Sequence, residues 1–276
     1  MTSTIFFVIY LIIILGVGVL SYFKSKKDDD VDFQLASREH GSIITALSAS
    51  ASSESGWVLL GLVGMAYSSG INTFWILPAG LIGYLLNWFL VGNQLREFST
   101  DNNLITIPEV LSFKSKNYRN TISLLSSIII VGLMISYVAA QFNATGKALE
   151  SIFEIPYQYG VLFGCVFVLF YALIGGFRAV SWTDVLQACM MVITLLILPG
   201  VIIYRLGGFG EIWSILRNID PILISFTAGQ TGMGAFAVIV SWVALGIAYP
   251  GQPHVLSRFM AAKDKNVFNK GSIIAI

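Results

Sequence analysis

Apolar residues run through this chain in long blocks separated by short polar stretches. The blocks lie near residues 4–23, 43–67, 71–95, 121–149, 157–177, 183–205 and 232–258. As a helix, the first block, Ile5 to Phe23, would be about 28 Å long, enough to cross the hydrocarbon of a bilayer. No basic residue precedes it, whereas Lys24, Lys26 and Lys27 follow. A secretory leader has the opposite order, so the pattern predicts a retained helix.

Two connecting segments carry periodicities of their own. Thr106-Ile107-Pro108-Glu109 reads as a capping box with proline in the first helical turn, which predicts a short helix through Val110, Leu111 and Phe113. Ile212, Ile215, Leu216 and Ile219 fall at helical spacing with Glu211 and Arg217 on the other face, the pattern of a helix lying along a membrane surface or closing over a solute path.

Composition agrees with the pattern. Of 276 residues 56% are hydrophobic and only 11% charged, against about 25% charged in soluble domains. A polytopic, all-α membrane protein in a lipid bilayer is expected, and a soluble enzyme, a disordered tail and a disulfide scaffold are excluded. The net charge of +1 gives no reason to expect nucleic acid as a partner. Cys165 and Cys189 lie in apolar runs and read as small hydrophobes, and His40 and His254 are too few to build a metal centre.

Charge adds an orientation. Thirteen of the 16 basic residues fall on alternate connections: Lys24, Lys26, Lys27 and Arg38; Arg96, Lys114, Lys116 and Arg119; Arg178; and Arg258, Lys263, Lys265 and Lys270. Only Lys147, Arg205 and Arg217 lie on the others. With basic connections inside, the chain is expected in the plasma membrane with its N-terminus outside.

Two blocks contain residues that hydrocarbon should exclude. Residues 48–56 read Ser-Ala-Ser-Ala-Ser-Ser-Glu-Ser-Gly. Serines can be the small face of a packed helix, but Glu54 facing lipid at the bilayer centre would cost about 2.5–3.5 kcal/mol or more. It is expected to face protein or a wet cavity, or to bind a proton. The last block contains Tyr249-Pro250-Gly251-Gln252-Pro253, where two prolines and a glycine predict either a packed kink or a discontinuous helix. Paired interruptions of this kind point to a transporter's substrate and ion site, where unwound carbonyls hold a cation and half-helix amides an anionic group.

These stretches also carry a resemblance. Arg38, Thr45-Ala46-Leu47-Ser48-Ala49, Ser55-Gly56-Trp57 and Leu60-Gly61-Leu62 are followed by Gly175-Gly176-Phe177 and Ala179-Val180-Ser181-Trp182-Thr183-Asp184. Gly207-Gly208-Phe209-Gly210 and then Gly251-Gln252-Pro253-His254-Val255-Leu256 with Arg258-Phe259-Met260-Ala261 complete the series. In this order and spacing the chain resembles the sodium/solute symporter family. The resemblance implies an inverted five-plus-five helix repeat preceded by one extra helix, and coupled entry of sodium and a small organic solute by alternating access. Proline is the expected solute. By the same resemblance Ala51 and Glu54 contribute sodium-binding carbonyls, Asp184 belongs to the sodium site or path, and Arg38 to an inner gate. Ser55, Gly56, Trp57, Tyr137, Tyr249 and Pro253 match substrate-side positions.

Simpler roles stand beside these. Asp184 could cap a helix, Arg38 could be an ordinary inside-positive residue, Trp57 could only pack, and Tyr137 with Gln141 could hydrogen-bond a neighbouring helix. Gly160 and Gly164 read as a helix-contact face. The chain departs from the family at Ser53, where proline carriers have aspartate, and at Leu245, where they have tryptophan. It also reaches Ile276 as a further apolar run begins. The expected organisation is an extra helix at 4–23, a first repeat at 43–205 and the start of a second at 232–276. On this reading the chain is a fragment that needs the rest of the second repeat, as a continuation or a separate chain, for coupled uptake. Two alternatives are a symporter for another solute, such as pantothenate, a sugar or a short carboxylate, and a membrane module that binds or senses a solute without transport. An enzyme is not expected, because Ser55, Glu54 and His254 show no convergent nucleophile and base.

Overall fold

The computed structural model describes residues 2–25 and 29–276, so Lys26 and Lys27 of the first basic connection lie outside the described residues. The described chain is helical. In order it forms α1 (Thr2–Lys24), α2 (Asp30–Leu35), α3 (Ser42–Gly56), α4 (Val63–Ser69), α5 (Ile76–Leu85), α6 (Asn93–Asp101) and α7 (Ile107–Ser112). Then follow α8 (Arg119–Phe153), α9 (Tyr157–Arg205), α10 (Phe209–Ile219), α11 (Gly232–Ala248), α12 (Pro253–Met260) and α13 (Asn266–Ala275). Short π-helical stretches, Trp57–Leu62 and Leu86–Gly92, join α3 to α4 and α5 to α6.

Five stretches of the described residues are long and apolar enough to cross a membrane: Ser3–Lys24, Leu60–Asp101, Arg119–Phe153, Tyr157–Arg205 and Gly232–Gly251. Two of them are about twice the length of a span. Leu60–Asp101 turns at Gly70, which has φ +71° and abuts the backbone of Leu223. Tyr157–Arg205 turns at Gly176, where φ is +58° and the chain presses on Phe33. Only glycine takes such angles freely. A straight α9 would hold Phe163 and Gln187 about 36 Å apart. Instead Phe163 meets Phe7 of α1, and Gln187 donates to the hydroxyl of Tyr10 three residues further on. The two arms of α9 therefore run in opposite directions along α1, and Ser21 bonds the Gly175 carbonyl near their apex. The serine-rich α3, 15 residues long, is not among the five stretches.

The expected minor helices are present. Thr106 and Glu109 exchange the reciprocal bonds of a capping box at the start of α7, and α10 is amphipathic with no buried residue. Gly160 and Gly164 pack against Gly146 and Thr145 of α8, as a helix-contact face should.

One end of the bundle is basic and tightly knit. Arg178 bridges Asp32 at 2.7 Å and Glu39 at 3.1 Å. Arg38 donates to the carbonyls of Met260 and Leu104 and to the Ser99 hydroxyl, and Arg96 donates to the carbonyls of Ala262 and Lys263. His40 and Ala262 pair as a single β-bridge. At the other end the segment after α10 lies on the turn at Gly70, and the Trp75 indole donates to the Phe226 carbonyl. Residues from alternate connections thus gather at opposite ends. Near the basic end, Trp88, Phe259 and Phe268 form an aromatic cluster with centroids 5.2–5.9 Å apart, packed on Ala46 and Ala49 of α3.

Candidate functional site

The polar run of α3 ends in a break. Ser55 has φ +49° and ψ −167°, a region that residues other than glycine seldom occupy. Its Oγ then accepts from the Trp57 amide, and the Gly56 amide donates to Gln141 Oε1 of α8 at 3.3 Å. A methyl on Gly56 would lie 2.8 Å from that oxygen, so only glycine admits the contact unstrained. The π-helical turns that follow lengthen the interruption, a deviation that recurs at functional sites.

The second break lies where the prolines are. α11 stops at Ala248, Tyr249–Gly251 form a 3₁₀ turn, Gln252 is extended, and Pro253 opens α12. The two breaks meet: His254 Nε2 lies 3.2 Å from the Ser52 carbonyl, and its ring stacks on Tyr137 with centroids 5.1 Å apart.

Between them is a cavity of about 620 Å³. Ala51, Ser55, Gly56, Tyr137 and Asp184, five of the positions singled out from sequence, line it together. Gln141, His254 and Arg258 complete its polar wall, and Tyr10 and Gln187 line it from α1 and the second arm of α9. The remaining positions lie elsewhere. Glu54 faces a second cavity of about 510 Å³ with Tyr84 and Tyr249, and Tyr84 donates to its carboxylate at 3.0 Å. The non-helical backbone at Ser55 separates the two neighbours, so that Ser55 and Glu54 face different cavities. The Glu54 carbonyl accepts from the Trp57 amide. Trp57 lies across Gly61 of its own segment, Pro253 is the first residue of α12, and none of these side chains reaches the central cavity. Ser53 turns back to the Ala49 carbonyl, and Leu245 is exposed.

Arg38 occupies neither cavity. It fastens the end of α12 to the α6–α7 connection through backbone carbonyls, and burial together with neighbouring Arg96 holds its pKa below the ordinary arginine value. Asp184 does not cap a helix, as α9 continues through it. Its Oδ2 accepts from Ser48 Oγ at 2.6 Å and from Arg258 Nη2 at 3.0 Å. The sequence reading placed Arg258 among the inside-positive charges and Ser48 in the serine run, and both in the stretches that carry the resemblance, but gave neither a role in the site. The signal for Ser48 was present, since it lies one turn before Ala51 and Ser52; the signal for Arg258 was its place one turn after His254. Tyr84 had no sequence signal beyond its own polarity.

Comparison with known proteins fits this site. The family model for the sodium:solute symporter family matches residues 33–276. The chain is 34% identical over 257 residues to the sodium/proline symporter of Escherichia coli (strain K12), covering 93% of this chain and 50% of that protein. It is 35% identical over 265 residues to the sodium/proline symporter of Haemophilus influenzae (strain ATCC 51907 / DSM 11121 / KW20 / Rd), covering 94% and 51% respectively. Against sodium/proline symporter 2 of Staphylococcus saprophyticus subsp. saprophyticus the identity is 33% over 273 residues, covering 99% and 52%. The chain spans about half the length of these curated relatives. Two helix breaks meeting at a cavity, and a family match over most of the sequence, lead to one conclusion: the chain belongs to the sodium:solute symporter family.

Proposed function

We propose that this chain forms half of a sodium-coupled symporter for a small organic solute, with L-proline the favoured substrate, working by alternating access in the plasma membrane with its N-terminus outside. The observation that carries this reading is the meeting of the two interrupted helices, Ser52 against His254, at the cavity lined by Ser55, Gly56 and Tyr137. Interrupted helices leave backbone groups free for ions and for carboxylate or ammonium groups. A zwitterionic amino acid needs both kinds of partner. Family membership and relatives named as sodium/proline symporters support sodium and proline as the cargo.

In this reading α1 is the extra helix, residues 43–205 form a first repeat and residues 232–276 begin an inverted second one. The carbonyls of Ala51 and Glu54 and the carboxylate of Asp184 serve the sodium site or path. Ser55, Gly56, Trp57, Tyr137, Tyr249 and Pro253 serve the substrate, and Arg38 stabilises the inner gate. The remainder of the second repeat, as a continuation or a separate chain, completes both sites.

Proteoliposome uptake tests the reading. The chain is joined to the second half of the Escherichia coli relative and supplied with labelled proline. Accumulation is expected only with an inward sodium gradient, and the unjoined chain is expected to give none. Uptake by the joined protein that ignores sodium, or that prefers another solute over proline, would refute the assignment.

A further inference from the structure

Three cations at the basic end pair with no carboxylate. Lys114, Lys116 and Arg119, in and just after the connection between α7 and α8, form no ion pair among the described residues. Glu97 and Asp101 of α6 bridge none of them, and the Glu109 carboxylate is taken up by the amides of Ile105 and Thr106. Two of the three cations are set against aromatic rings instead. Lys114 Nζ lies over Phe98, 5.8 Å from its centroid, and the Arg119 guanidinium lies over Phe113 at 5.6 Å. The two rings meet edge to face with centroids 5.5 Å apart, so both cations rest on one aromatic pair.

Phe98 and Lys114 also line a groove of about 490 Å³ between α6 and α7. Its walls are Leu90, Val91 and Leu95 on one side and Val110 and Leu111 on the other, and Gln94 adds a single amide. Leu90 and Leu111 lie open, each 57% exposed. Along the helix, Leu90 to Phe98 is a rise of about 12 Å, and both belong to the apolar span that runs to Asp101. The groove therefore starts within the span and leads to the basic end, where Lys114 stands.

That gradient suits a ligand apolar at one end and anionic at the other. A soluble anion has nothing to lay along leucine and valine, and an uncharged lipid leaves the cations unanswered. We propose that the groove between α6 and α7 binds an anionic phospholipid from the surrounding bilayer. One acyl chain lies along Leu90, Val91 and Leu95, and the phosphate meets Lys114 and Arg119, with Lys116 adding to the field. Basic pockets between helices at the cytoplasmic side of membrane proteins hold such headgroups. Exposed Tyr118, in the same connection, is of the type enriched at headgroup depth. The site requires only that the chain spans a bilayer, so it stands apart from the identity of the solute. A lipid held there bridges α6 to α7, whose connection carries the Leu104 carbonyl that Arg38 binds.

The test uses the 276-residue chain in phosphatidylcholine nanodiscs with a trace of phosphatidylglycerol bearing a photoreactive diazirine on one acyl chain. After irradiation, peptide mapping should find the label at residues 90–98 and 110–111. Unlabelled phosphatidylglycerol should compete and added phosphatidylcholine should not. Lys114→Gln and Arg119→Gln should each lower labelling about fivefold, the worth of one cation near an anionic lipid surface. Lys114→Arg, which keeps the charge, should retain it. Lys265→Gln, at a basic-end lysine outside this groove, should change nothing. Leu90→Trp leaves every charge in place but fills the groove, and should lower labelling at residues 110–111. Leu90, Lys114 and Arg119 are exposed, so these variants are expected to fold, and melting temperatures check it.

Labelling confined to other segments, equal capture of a phosphatidylcholine probe, or undiminished labelling in the Lys114→Gln, Arg119→Gln double variant overturns the proposal. Competition by glycerol phosphate as strong as by the lipid also overturns it, because the site would then take a soluble anion.

Discussion

His40 shows what burial does to one side chain at the basic end. It is 1% exposed, stacks on Phe177 and bonds no partner through its ring nitrogens among the described residues. Burial first, then the positive charges of Arg178 and Arg258, push its pKa down to about 3. In the unfolded chain it would titrate near about 6.5. Between these values the unfolded state binds the extra proton, so His40 contributes stability that is whole above about pH 6.5 and is lost as pH falls toward about 3, at up to about 1.4 kcal/mol per pH unit. A His40→Phe variant, whose ring can keep the stack, should lose this part of the acid sensitivity; melting temperatures in detergent between pH about 6.5 and about 5 measure the difference in slope. Gly246 makes a second prediction at the same scale. The carbonyl of Ala79 stands where its Cβ would be, so Gly246→Ala must push α11 off α5. Overpacking typically costs about 1–3 kcal/mol and occasionally more. Gly64→Ala, with open space around it in α4, should keep or slightly raise the melting temperature, since alanine is the better helix former.

Among the elements, α3 is the one whose sequence and geometry pull apart. Its left-handed Ser55 holds a conformation suited to glycine, at a cost on the order of 1–3 kcal/mol. Ser55→Gly should therefore raise thermal stability while altering the cavity wall, and Ser55→Val should lower it; a thermal melt of both variants distinguishes strain from a favourable serine contact. The existence of both breaks was legible in the sequence, because prolines, a carboxylate and clustered serines are expensive inside an apolar run. Their orientation was not. Whether Glu54 or Ser55 faces the cavity depends on a backbone reversal at a serine, which no periodicity announces. The same holds for α9, where Arg178 and the Gly175-Gly176 pair marked the turn, but only the fold shows that its two arms both lie on α1. Contacts such as Arg258 with Asp184, 74 positions apart, leave no trace in local pattern at all.

For the whole molecule, the alternation of basic connections read from the sequence reappears as two chemically different ends. Arg38, Arg96 and Arg178 bind carbonyls and carboxylates at one of them, while Trp75, Leu223 and Phe226 join the connections at the other. The positive-inside rule then yields a sided prediction. On a background without native cysteines, Ser115→Cys should react with an impermeant maleimide only from the cytoplasmic side, and Thr227→Cys only from outside. Labelling of both from one side would invalidate the assigned orientation. Composition was enough to identify a membrane protein; the partner of each buried charge was not, since it depends on which helices adjoin in three dimensions.

The Arg178–Asp32 bridge also has a history within each molecule. The acid is synthesised 146 positions before its base, a delay of about 7–30 s at typical rates of translation. During that interval Arg178 itself has not been made. Two hydroxyls close in sequence bond the same carboxylate, Ser25 at 2.6 Å and Ser37 at 2.7 Å. These contacts need nothing made later than Ser37, so they can shelter the carboxylate on the ribosome until the α9 turn arrives. The serines around Asp32 thus reach its carboxylate through contacts far more local than the arginine's.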